Sequence, residues 1–102
     1  MEITDVFILE EAVVDLENGR LFYEERQPGL GGYFWDTLLS DVESLVIYGG
    51  IHAKVMGFHR MLSKRFPYAI YYEVKGRSAY VVAVLPMRRD PEWIRGKLEE
   101  RS

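Results

Sequence analysis

Residues 64–93 read KRFPYAIYYEVKGRSAYVVAVLPMRRDPEW, and this stretch decides the fold. Tyr68–Lys75 alternates, with Ile70, Tyr72 and Val74 on one side and Tyr71, Glu73 and Lys75 on the other, as the two-residue period of a strand requires. Lys75-Gly76-Arg77-Ser78 supplies a turn. Ala79–Leu85 (AYVVAVL) is almost continuously apolar, the pattern of a strand covered on both faces. Asp90-Pro91-Glu92-Trp93 then starts a helix over residues 91–100. Asp90 can cap it, proline fits the first helical position, and Glu92 suits the positive end of the helix dipole.

Working upstream, His59–Phe66 (HRMLSKRF) mixes apolar and basic residues, as a strand with one exposed face does. Pro67 leaves room only for a tight hairpin into the next strand. Residues 51–58 have no clear period and read as a loop. Tyr33–Ile47 carries a helical stripe of Phe34, Leu38, Leu39, Val42, Leu45 and Val46. Pro28-Gly29-Leu30-Gly31-Gly32 separates it from an earlier helix. That helix starts near Leu9, with Leu9, Ala12, Val13 and Leu16 at i, i+3, i+4, i+7 and Tyr23 extending the stripe. Asn18-Gly19 leaves a competing hairpin-turn reading open. In the helix, Gly19 marks a weak point or a close approach of another backbone. Asp15 falls with Glu10, Glu11 and Glu17 off the apolar stripe. Residues 2–8 (EITDVFI) read as a short strand.

The order is β–α–α–β–β–β–α. It implies one α+β domain over residues 1–102, with a helical hairpin packed on a mainly antiparallel four-stranded sheet.

The net charge of −3 conceals an uneven distribution. Residues 1–50 hold eleven acidic and two basic residues, a net of −9. Residues 51–102 hold eleven basic and five acidic residues, a net of +6. Such asymmetry points to a charged partner or a basic working surface. No apolar run approaches the ~20 residues of a membrane span. The start MEITDVFILEE is acidic and has no small-residue cleavage site. With no cysteine there is no disulfide framework and no thiolate site. A cytoplasmic protein without membrane contact is expected.

Three consecutive strands in a meander place residues 68–75 between the other two. Lys64 and Arg65 then end one neighbour and Arg88 and Arg89 follow the other, the two neighbours ~10 Å apart. Four cations converge near Tyr68. They suit either a phosphate or acidic protein surface, or a solvated sheet end pairing with Asp90 and the acidic helices. His52 and His59 lack the i, i+4 spacing of a helical metal pair. His59 is retained as an acid/base candidate because it precedes the basic strand. PGLGG lacks the Lys-Ser/Thr of a phosphate loop, and no GxSxG occurs. The carboxylates read as solvation of helix faces, and no metal or cofactor is expected. Tyr68, Tyr71, Tyr72 and Tyr80 fit cross-strand packing better than a stacking platform, with Tyr68 or Tyr71 as the exposed member. Trp35 and Trp93 anchor the second and third helices.

Three stretches together, LFYEERQPGLGGYFWDTL (21–38), KRFPYAIYYEV (64–74) and VVAVLPMRRDPEWI (81–94), resemble the RelE/ParE toxin superfamily of bacterial type II toxin–antitoxin systems. The resemblance spans residues 3–98 and is greatest to the ParE-like, plasmid stabilisation branch. It implies the element order just derived and a toxin that arrests growth, held in a hetero-oligomer by a cognate antitoxin. RelE-like members cut mRNA at the ribosome with clustered basic residues and often a C-terminal tyrosine. ParE-like members poison DNA gyrase by a protein contact. In this sequence Ala69 stands where the ribonuclease branch often has arginine, and the last helix has Trp93 and Arg95 but no tyrosine. Arg89 matches the basic residue after the last strand, while Pro86-Met87 replaces a usual His-Gly. The resemblance therefore implies a ParE-like toxin that binds gyrase, with Lys64, Arg65, Tyr68, Arg88, Arg89, Trp93 and Arg95 as contact candidates. The alternatives are a RelE-like endoribonuclease using His59, Lys64, Arg65 and Arg89, and a non-toxic binding module of the same fold.

Overall fold

The computed structural model describes residues 2–102. The elements are β1 (Asp5–Ile8), α1 (Glu10–Arg26), α2 (Leu30–Glu43), α3 (Leu45–Tyr48), β2 (Lys54–Val55), β3 (Phe58–Leu62), β4 (Tyr68–Lys75), β5 (Ser78–Pro86) and α4 (Pro91–Arg101). The sheet order is β1-β5-β4-β3-β2. β1 joins β5 in parallel, and the other pairs are antiparallel.

The alternation in residues 68–75 sorts the core as the sequence requires. Ile70 and Tyr72 join Ala12, Leu16, Phe34, Leu38 and Val42 of the helical hairpin. Tyr71 and Ala69 face the other way, against Leu98, Trp93 and Ile94 of α4. The hairpin thus covers one face and α4 the other. β5 is buried between them, from Val81 to Leu85.

Residue 18–19 lies inside α1, so the hairpin-turn reading does not hold. A Cβ at position 19 would collide with the ring of Phe34, so a side chain and not a backbone comes close there. The backbone contact is at Gly31, where a Cβ would meet the Arg20 carbonyl. α2 begins three residues before the sequence predicts, because α1 itself supplies the cap. The Glu24 carboxylate accepts the N–H groups of Gly29 and Gly31 at 3.0 Å, and Gly29 takes the left-handed conformation that turns the chain. The second helix also breaks at Ser44, whose hydroxyl bonds back to the Asp41 carbonyl at 2.6 Å. Val46 consequently leaves the buried stripe and is exposed.

Two further expectations change. The loop at 51–58 contains β2, which pairs Lys54 with His59 and makes the sheet five-stranded. The third strand ends at Leu62, not Phe66. Residues 63–67 form an open bend, and Phe66 turns inward onto Tyr23 and Phe34 (ring centroids 4.8 and 5.1 Å).

Candidate functional site

β1 pairs only with Ser78–Val81, so beyond Val81 the outer edge of β5 carries no strand. Edge groups buried without partners are costly. Here side chains meet them. The Val84 N–H donates to the Asp15 carboxylate at 2.9 Å, and Arg101 Nη1 donates to the Val82 carbonyl at 3.2 Å. Arg101 and Asp15 also pair bidentately, one bond being Nη2 to Oδ1 at 3.0 Å. Both side chains are under 10% exposed (7% and 8%). Asp15 is therefore no solvating carboxylate. It lies on the buried face with Ala12, Leu16 and Gly19, whereas Leu9 and Val13 of the predicted stripe are exposed. The pair joins α1 to the end of α4 across the open edge.

Above that pair lies a cleft of about 380 Å³, within the range of small binding sites. One wall is α1, with Asn18, Phe22 and Tyr23, and the other is α4, with Trp93 and Lys97. Pro67 and Tyr68 close one end, and Arg88 and Arg89 form the rim. The Arg89 guanidinium lies 3.9 Å from the Trp93 ring centroid, and Lys97 Nζ lies 5.5 Å from it. Such stacking orients a cation while leaving its edge free to bond.

Tyr68 is buried, not exposed, and Tyr71 is buried on the α4 face, so neither is a surface platform. Tyr68 still reaches the cleft. Burial pushes its phenol up to about 12, with Tyr23 and Asp15 adding to the effect. Burial also raises Tyr23, against opposing pulls from Arg88 and Arg26. Both hydroxyls stay protonated at neutral pH, so the cleft combines neutral donors with cations.

The site thus gathers Tyr68, Arg88, Arg89 and Trp93. Lys64 and Arg65 lie in the exposed bend after β3 and do not line it. Arg95 reaches Met56 Sδ (3.7 Å) and Glu92 (3.8 Å) instead. His59 pairs with Tyr72, four residues along β4 from Tyr68 and so ~13 Å away. The sequence reading missed Lys97, although its i, i+4 spacing from Trp93 was visible. It also missed Phe22 and Asn18, whose cleft role needs α4 opposite them. Among the described residues no helix is long and apolar enough to cross a membrane. No group of three or more His, Cys, Asp or Glu among them could hold a metal ion.

The architecture has a counterpart among solved structures. A chain of "Chromosomal ParDE TA system from P. aeruginosa" superimposes with a TM-score of 0.75 at 15% identity, over 84% of this chain and 98% of that one. The fold is RelE/ParE-like. No protein-family model matches the sequence, and no curated protein does. The RelE/ParE-like fold therefore rests on the path of the chain and not on shared wording.

Proposed function

We propose that this chain is a single-domain toxin of a type II toxin–antitoxin system, of ParE type. In this reading it acts by binding a protein target, DNA gyrase, in the cytoplasm, and a cognate antitoxin neutralises it in a hetero-oligomer. The shared fold with a chain of a ParDE system supports the general assignment. One observation carries the choice of binding over RNA cleavage. Among the described residues the cleft lining includes no histidine, and its only carboxylate, Asp15, is committed to Val84 N–H and Arg101. Ribonuclease chemistry needs a group free to take the ribose 2′-proton. What the cleft offers instead is an arginine–tryptophan stack, further cations and two phenol donors. These favour an acidic, partly apolar protein surface.

Induction without antitoxin tests this. Gyrase poisoning gives the DNA-damage response and cleaved DNA–gyrase complexes while mRNA stays intact. Rapid codon-phased mRNA cleavage would reject the reading. Replacing both rim residues, Arg88→Ala with Arg89→Ala, is expected to abolish toxicity with an unchanged circular-dichroism spectrum and Tm. Full toxicity in that variant would remove the rim from the contact.

A further inference from the structure

We propose that His52, Tyr72 and His59 form an acid-released latch that holds residues 49–57 onto the sheet. Tyr72 is fully buried in β4, yet its hydroxyl makes two contacts with the loop. It accepts the Gly50 N–H at 2.9 Å and meets His52 Nδ1 at 2.5 Å. The phenol proton needs an acceptor, and Nδ1 of a neutral His52 is the one beside it. The His52 ring proton is then on Nε2.

The second histidine locks the first. His59 stacks on the Tyr72 ring, with centroids 5.0 Å apart and planes 24° apart. Its Nδ1 lies 2.6 Å from the His52 carbonyl, which only accepts, so Nδ1 carries the proton. A proton on Nδ1 of His52 removes the acceptor of the phenol.

The surrounding charges do not offset this. Lys54 of β2 and Glu73 and Lys75 of β4 line the hollow beside His59, two cations to one anion. α3 (LVIY) brings no charge. Burial, and then the neighbouring His59, hold His52 below the ordinary histidine range. The unfolded chain therefore binds this proton more readily than the folded one. The latch is fully effective above the unfolded value of 6.5 and weakens as pH falls through the lower folded value.

Release loosens the segment that carries Ile51, 73% exposed, beside the end of α3 with Ile47, 76% exposed. Acid would thus free the most exposed apolar stretch of the molecule without disturbing the cleft, which is served by the other end of β4.

Amide exchange followed by NMR between pH 7.5 and 5 tests the latch in the whole chain. In the native protein the open population at Gly50, corrected for intrinsic exchange, is expected to grow by up to about tenfold per pH unit as pH falls from the unfolded value of 6.5 through the lower folded value of His52, and to level off below it. In His52→Gln a carboxamide oxygen accepts the phenol proton without titrating, so Gly50 protection becomes flat with pH. Tyr72→Phe leaves the ring packing but opens Gly50 at every pH. Equal Gly50 protection at pH 7.5 and 5 in the native chain overturns the proposal. So does a pH-dependent opening that survives in His52→Gln.

Discussion

Asp15 shows how one residue can carry two elements. Its carboxylate takes the free N–H of Val84 and both arms of Arg101. Removing one partner of a buried pair leaves the other charge uncompensated, at a cost of about 3–5 kcal/mol. Asp15→Ala is expected to lose that much in urea unfolding. Asp15→Ala with Arg101→Met should recover part of it, because no buried charge remains. A loss under about 1 kcal/mol in the single variant would show that water replaces the carboxylate. This residue was not legible in the sequence. A carboxylate one step off an apolar stripe looks solvated until its partner is known, and Arg101 stands 86 positions away. Tyr68 misled for the same reason: its cover comes from Tyr23 and Phe34, which converge on it only after folding.

At the scale of elements, the strands and the last helix were readable because their signals are local. The alternation of YAIYYEVK and the Asp-Pro start of α4 each lie within ten residues. The Asp90 side chain does accept the Glu92 N–H, at 2.9 Å. Boundaries set by a distant group were not readable. Glu24 starts α2 early, and the bonds from Gly29 and Gly31 hold its carboxyl below the usual range. A lowered carboxyl stabilises the fold above its unfolded value of 4.5 and ceases to do so as pH falls. Glu24→Gln is therefore expected to lower Tm at pH 7 and to converge on the native protein near pH 3. A constant difference in Tm across that range would mean that the charge is not what caps α2.

For the whole molecule, the charge asymmetry resolves into geography. The −9 half supplies β1 and the helical hairpin, and the +6 half supplies the rest of the sheet and α4. Arg88, Arg89 and Lys97 are gathered at one cleft although the chain is acidic overall. Retention on a heparin column at low salt measures this directly. A uniform charge of −3 gives none, whereas a local patch does, and Arg88→Ala with Arg89→Ala should abolish it. Retention unchanged in that variant would place the patch elsewhere, with Lys64 and Arg65 the next residues to replace.

The open edge of β5 has one more consequence, and it concerns colloidal behaviour. SAYVVAVLP is uncharged and rich in valine, the composition of a segment that can seed a cross-β stack. An unpaired length of such a strand invites the same strand of another copy. Asp15 occupies its donor, Arg101 occupies a carbonyl, and Pro86 has no N–H to offer, so the edge is sealed by two ions and an imino acid. Deleting Arg101 and Ser102 removes one of those three parts and leaves the Asp15 carboxylate without its cation. The shortened chain is expected to form thioflavin-positive fibrils at concentrations where the intact protein stays clear; a shortened chain that stays equally clear would show that Arg101 does not guard the edge. The last turn of α4 would then serve as the guard of the strand most prone to self-association.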